Sequence, residues 1–230
     1  MDFYKRGFEF VPSVFTKDEL DAIIAAIPKL DPANPKVMGG DRSYAIRSVM
    51  QCSQELHKAV WTNKLVGVIA DHFGKNVFLT KSIWFDKPPA GNWFVGYHQD
   101  ISISVERKVE VDGYSKWTSK HGVIGVVPPV EVLERTLTIR IHIDDADNMN
   151  GALRVKPGSH RSGILRDHTW FPEEVECPMT AGDVMLMKPL LLHSSMRSTT
   201  KKPRRVLHLE VTDMELPMSL KWAEREWILR

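Results

Sequence analysis

The sequence predicts an α+β chain: two N-terminal helices, then a series of short strands that closes as an all-β barrel or sandwich. Three observations carry this. Apolar residues recur at helical spacing up to Phe73. After Gly74 the pattern changes to alternating, β-rich runs. Clusters of Pro, Gly, Asn and Asp punctuate those runs.

Residues 7–11 (Gly-Phe-Glu-Phe-Val) alternate and predict a short strand. Thr16 with Glu19 is a capping-box pattern, and Leu20, Ile23, Ile24 and Ile27 follow at helical spacing before Pro28 ends the helix. Residues 31–43 read as a loop. Leu56, Val60, Leu65, Val68, Ile69 and Phe73 predict one helix over 54–73, stopped by Gly74. Val77 to Phe85 reads as a strand, with Pro88, Pro89 and Gly91 before the next extended segment.

Residues 104–135 form a long insert, of the kind that serves as a lid or substrate loop. Thr136 to Asp144 alternates as a strand, with Thr138, Arg140 and His142 on one face and Ile139, Ile141 and Ile143 on the other. A turn at 147–151 precedes a short strand ending at Pro157-Gly158, and 161–178 reads as loop. Val184 to Leu192 is predicted as one apolar strand ending at His193. Pro203 precedes a strand from Arg204 to Thr212, and Trp222 to Leu229 closes the chain as a short helix.

A chain of 230 residues suits one domain, and 43% hydrophobic residues supply a sizeable core. The net charge of +2 points to neither nucleic acid nor an anionic membrane as partner. Cys52 and Cys177 form no disulfide framework or paired zinc motif, the N-terminus lacks a signal-peptide pattern, and no apolar run is long enough for a membrane helix. The expectation is a soluble, cytoplasmic protein acting on a small molecule, its oligomeric state open.

The chemistry is concentrated in Trp93-Phe-Val-Gly-Tyr-His98-Gln99-Asp100-Ile101. An imidazole and a carboxylate two positions apart on extended backbone share a side and chelate one divalent ion. His193 is the best-placed third ligand. Two His and one carboxylate with open opposite positions is the ligand set of oxygen-activating non-haem Fe(II) sites. His142 and Asp144 form a competing His-x-Asp, but Asp144 leads into a turn with Asp147, Asn148, Asn150 and Gly151, where carboxylates serve as caps. His160 and His208 read as structural, and His57, His72, His121 and His168 lack chelating partners. The apolar strand ending at His193 and the strand beginning at Arg204 read as a hairpin, which would set the Arg204 guanidinium near the metal to grip a carboxylate; the structural alternative is a solvated charge in the basic cluster Lys201, Lys202, Arg204 and Arg205. Ser195 and Thr138 are candidate hydroxyl donors beside it. Lys81, Gln99, Trp117 and Arg140 are candidate substrate contacts, each with a structural alternative: solvation at a strand edge, a brace pointing away from the metal, simple packing, and a buried ion pair with an aspartate, respectively.

The stretches Gly151-Ala-Leu-Arg-Val-Lys-Pro-Gly-Ser-His160 and Ala181-Gly-Asp-Val-Met-Leu-Met, running on to His193-Ser-Ser, resemble motifs of the phytanoyl-CoA dioxygenase family. Gly7 to Val11 and Phe15 to Leu20 resemble the family's opening strand and helix, so the likeness spans roughly residues 4 to 213. It implies a mainly β fold with flanking helices, a double-stranded β-helix (a jelly-roll, cupin-like barrel), as a single domain over 1–230. Within it the helices occupy about 16–74, the core about 77–213 and the insert about 104–135.

The resemblance also implies Fe(II) as cofactor with 2-oxoglutarate and O2 as cosubstrates, released as succinate and CO2. It carries the metal ligands onto His98, Asp100 and His193 rather than His142. Arg204, eleven residues after His193, takes the role of cosubstrate arginine, with Thr138 and Ser195 beside it. Asp100 occupies the position where related halogenases carry a small residue, which favours hydroxylation. The alternative reading is a non-oxygenase, metal-binding cupin-like isomerase or small-molecule-binding jelly roll, for which Arg204 is dispensable.

Overall fold

Capping chemistry organises the N-terminal part. Helix α1 (Phe3–Arg6) leads into strand β1 (Phe8–Val11), and α2 (Lys17–Ala26) starts on the expected capping box. The Glu19 N–H donates to Thr16 Oγ1 at 3.3 Å, and the Thr16 N–H to Glu19 Oε2 at 2.7 Å. The computed structural model describes residues 3–29, 34, 36–38, 45–87, 94–120, 122–167, 171–200, 202–217 and 219–230. Pro88, Pro89, Gly91, Trp93, His121, His168, Lys201 and much of the predicted 31–43 loop lie outside them.

Inside that loop Val37–Met38 forms β2, which pairs with β3 (Ala45–Arg47). The helix expected over 54–73 is two helices, α3 (Gln54–Val60) and α4 (Asn63–Phe73). Thr62 starts the second by accepting the Leu65 N–H at 3.3 Å. The break has a packing cause. In one unbroken helix, Val60 and Leu65 would lie roughly 140° apart at 3.6 residues per turn. The interruption at Trp61-Thr62 resets the phase, so Leu56, Val60, Leu65 and Ile69 are all fully buried.

The remaining elements are β4 (Val77–Lys87), β5 (Val95–His98), β6 (Ile103–Val105), β7 (Ser115–Lys120), β8 (Val123–Val127) and α5 (Val130–Glu134). They continue with β9 (Thr136–His142), β10 (Leu153–Val155), β11 (Val175–Cys177), β12 (Val184–Met187), β13 (His193–Ser195), β14 (Arg204–Thr212) and β15 (Glu226–Leu229). Among the described residues the major sheet runs β1-β12-β9-β14-β4-β3-β2, with β15 also on β4, and the minor sheet β11-β10-β13-β5. These two sheets form the jelly roll. The outer face of the major sheet, with Ile139, Ile141, Leu207 and Leu209, packs on the helices through Ile23, Leu56, Leu65 and Ile69. The barrel interior is filled by Phe8, Met185, Met187, Leu153, Val155 and Leu191. Burying each such side chain contributes about 1.5–3 kcal/mol.

Five further expectations are corrected. The apolar run 184–192 is not one strand. It stops at Met187, turns at Lys188–Leu191 (Leu191 N–H to Lys188 O, 2.9 Å), and resumes as β13 in the other sheet. Pro189 lacks the N–H that would continue the ladder. His193 and Arg204 are therefore not hairpin neighbours: β13 pairs with β10 and β5, while β14 pairs with β9 and β4. The 161–178 segment contains β11, and the terminal helix predicted over 222–229 is instead β15, paired with β4. The insert is folded too. Strands β6, β8 and β7 make a third sheet whose apolar side packs on Leu216, Leu220 and Trp222.

Candidate metal and cosubstrate site

Strand β5 ends at His98, so Asp100 follows the strand instead of belonging to it. Four hydrogen bonds from Asp100 and its neighbour Gln99 hold this segment in place. The Asp100 N–H donates to Pro189 O at 2.9 Å. Gln99 points away from the cavity, donating through Nε2 to Gly163 O (2.9 Å) and Leu190 O (2.7 Å) and accepting the Leu165 N–H (2.8 Å). It is a brace between three segments, as alternation suggested, and not a cavity contact. His193 arrives from β13, directly opposite His98 in the register.

The three side chains converge. His98 Nε2 lies 3.9 Å from Asp100 Oδ1, and His193 Nε2 lies 3.7 Å from Asp100 Oδ2. One ligand atom from each falls within 4.8 Å of the others, a spacing that could hold one ion. Nδ1 of His98 is 2.9 Å from Gly96 O, and Nδ1 of His193 is 2.9 Å from Leu191 O. A carbonyl only accepts, so both protons sit on Nδ1 and both Nε2 lone pairs face inward. Burial pushes the Asp100 carboxyl up. The charges that His193, His208, Lys81 and His98 carry in the acid range where this group titrates outweigh it and hold the carboxyl well below the usual carboxylate range. Burial also lowers His193 to about 4, against the raising effect of Asp100, so its ring is neutral near pH 7.

The triad opens onto a cavity of about 200 Å³ walled by Phe85, Lys87, Val95, Arg140, Leu153, His193, Ser194, Ser195, Arg204, Val206 and His208 as well as by His98 and Asp100. Arg204 is buried and its Nε has no partner. Its neighbour Arg205 faces the other way and holds Asp144 through Nε (2.8 Å) and Nη2 (2.7 Å). That pair employs Asp144 of the competing His-x-Asp as a structural anion. His142 is buried beside Arg140 and Arg204 with both ring nitrogens unpartnered. It belongs to neither potential metal cluster among the described residues.

The other candidates divide. Ser195 and Arg140 line the cavity. Thr138 does not: it is fully buried opposite Glu210, its hydroxyl without a partner. Lys81 is also outside the lining, with Nζ 2.7 Å from Glu210 Oε1 and 2.7 Å from Ser102 O. Trp117 packs within the insert, and none of the described residues lining the cavity comes from 104–135, so no lid role is visible.

Two cavity residues escaped the sequence. Lys87 faces Arg204 in the register, its Nζ 3.0 Å from Met196 O. Burial, with Arg204 and Arg197, lowers it to about 8. His208, read as structural, stands with Arg204, Val206 and Glu210 on the inward face of β14. Period-two alternation from Arg204 is the signal that would have found it. Asp100, His208 and Glu210 form a second cluster of potential ligands, but the Lys81 ammonium already neutralises Glu210 there.

Comparisons with known proteins bear on the fold and the family. A phytanoyl-CoA dioxygenase from Oryza sativa subsp. japonica is 29% identical over 103 residues, 38% of this chain and 36% of that protein. The matched stretch thus spans about a third of the curated relative. A solved non-haem monooxygenase, ThoJ, superposes with a TM-score of 0.71 at 16% identity, covering 99% of this chain and 82% of the other. HygX from Streptomyces hygroscopicus, solved with nickel and 2-oxoglutarate bound, gives 0.63 at 16% identity, covering 91% and 84%. At such identities the superpositions establish the jelly-roll fold. No helix among the described residues is long and apolar enough to cross a membrane. The family model for phytanoyl-CoA dioxygenase matches residues 3–206, and the chain belongs to that family.

Proposed function

We propose that this chain is a single-domain Fe(II)- and 2-oxoglutarate-dependent dioxygenase that hydroxylates a C–H bond of a small molecule. One observation carries the reading. Two inward Nε2 lone pairs and an ionised carboxylate meet in a cavity that also holds a buried guanidinium, Arg204, with no carboxylate partner among the described residues. The donor set suits a ferrous ion, and the unpaired guanidinium suits the distal carboxylate of 2-oxoglutarate.

His98, Asp100 and His193 would hold the metal, while Arg204 would hold the cosubstrate, with the Ser195 hydroxyl on the same wall. When bound, Fe(II) and 2-oxoglutarate supply the oxidation, in which O2-dependent decarboxylation to succinate and CO2 is coupled to attack on a C–H bond. The protein's own part is preparation. Backbone carbonyls of Gly96 and Leu191 fix both imidazole tautomers, and the neutral His193 ring requires no proton release before binding metal. Asp100 fills the position a halide would need, which favours hydroxylation.

Anaerobic titration of Fe(II) and 2-oxoglutarate into the protein tests this, read as the weak visible charge-transfer band of the chelate. Succinate release in air is then measured over a panel of small molecules. A band in the wild type and none in Asp100→Ala is expected. No band in the wild type sinks the proposal and leaves the metal-binding isomerase or binding-module reading.

A further inference from the structure

We propose that the substrate of this site carries a carboxylate and that Arg140 is the residue that receives it. The inference rests on the oxygenase reading above. Strand β9 aims Arg140 into the barrel, opposite His208 on β14 and Met185 on β12. The side chain is buried and lines the cavity. Its Nη1 lies 3.3 Å from His208 Nδ1, and its Nε has no partner. The aspartate ion pair that would make it a structural charge is absent among the described residues.

The surrounding network orients this guanidinium without neutralising it. An arginine only donates, so His208 Nδ1 accepts and the ring proton sits on Nε2, 3.4 Å from Glu210 Oε1. Glu210 is in turn held by Lys81 at 2.7 Å, so its charge is matched before it reaches Arg140. Among the described residues the pocket and its rear wall thus set the cationic side chains Lys81, Arg140 and Arg204 against two carboxylates, Asp100 and Glu210. A ferrous ion and a 2-oxoglutarate dianion cancel one another, so the loaded site retains surplus positive charge. A buried, unpaired guanidinium is costly, and a planar carboxylate matches its fork.

The two arginines are also distinguishable by position. Arg140 Nη1 lies 3.3 Å from the ring of His208, which stands beside Asp100 with a ring nitrogen within 4.8 Å of its carboxylate, whereas Arg204 sits four residues before His208 along β14. An anion on Arg140 is therefore held on the metal-ligand side, where a neighbouring C–H bond is within reach of oxidation. Arg204 stands apart, opposite Lys87, for the cosubstrate.

The test uses the full-length protein under argon, loaded with Fe(II) and 2-oxoglutarate. The probes are straight-chain monocarboxylates from acetate to octanoate, each compared with its neutral primary amide. Binding is read by calorimetry and by perturbation of the visible band. At least one acid should bind tenfold or more tighter than its amide. Arg140→Met should erase that preference while keeping the band, and Arg140→Lys should restore part of it. Arg140→Gln replaces the methionine variant if circular dichroism shows the latter unfolded. The inference is overturned if acids and amides bind equally, if no acid binds at tens of millimolar, or if the Arg140 variants lose the band, since Arg140 would then serve the cosubstrate. A wild type without the band fails the oxygenase reading instead, so the two failures are distinct.

Discussion

Replacing Gln99 by Leu tests whether the brace beside Asp100 sets the metal site. The side chain makes three hydrogen bonds, of 2.9, 2.7 and 2.8 Å, joining the 98–100 segment to Gly163, Leu165 and Leu190. Leucine fills a similar volume but leaves the Leu190 carbonyl and the Leu165 N–H without it. At about 1 kcal/mol net per bond, the loss is about 3 kcal/mol. For a domain of this size that corresponds to a fall in Tm of roughly 6–12 °C. The metal effect comes on top, because the same brace holds both neighbours of Gln99 and the turn that precedes His193. Loss of such outer contacts weakens metal binding about 10–100-fold. Thermal unfolding of the metal-free protein and calorimetric Ni(II) titration measure the two effects separately. A variant as stable as the wild type, with undiminished nickel affinity, would refute the idea that Gln99 does more than occupy space.

Three other outcomes are expected. His193→Ala should weaken Ni(II) binding by at least 100-fold while His142→Ala leaves it nearly intact, and the reverse in calorimetry would overturn the ligand set. Arg204→Met should raise the 2-oxoglutarate concentration needed for half-formation of the visible band by about 10²-fold or more, the scale of a lost buried charge pair; an unchanged midpoint would remove Arg204 from the cosubstrate site. The metal-free protein should lose stability as pH falls from about 6.5 toward 4. His193, lowered to about 4, and His142, lowered well below its usual range, both resist protonation when folded but take up protons when unfolded. Their contribution is full above the unfolded pKa and is lost through this window, about 3 kcal/mol for His193 alone. A flat profile in urea melts at pH 7 and pH 5 would contradict it.

The elements legible from sequence were those whose signal is local. The Thr16 capping box, β4, β9, β14 and the Asn150 turn follow from side-chain chemistry within a few residues, and the structure has them. The misread segments fail for a common reason. The break at Trp61-Thr62 and the corner at Pro189 each lie inside an apolar run whose periodicity looks continuous, and only the surface packed against it decides where it bends. The insert was misread likewise, because its short, mixed strands acquire meaning from Leu216, Leu220 and Trp222, about a hundred residues away.

The sequence by itself determined the residue types: a His-x-Asp pair, a distal histidine, an arginine eleven residues on, and the order of helices before strands. Those depend on spacing along one chain, where alternation and motif order suffice. Only the tertiary structure decided which side chains share the cavity. It sets His193 opposite His98 through β5 and β13, puts Arg204 in the other sheet, and exchanges Thr138, Lys81 and Trp117 for Lys87 and His208. Period two tells which face a strand residue takes, but the partner across that face is set by strand registry and by how two sheets close.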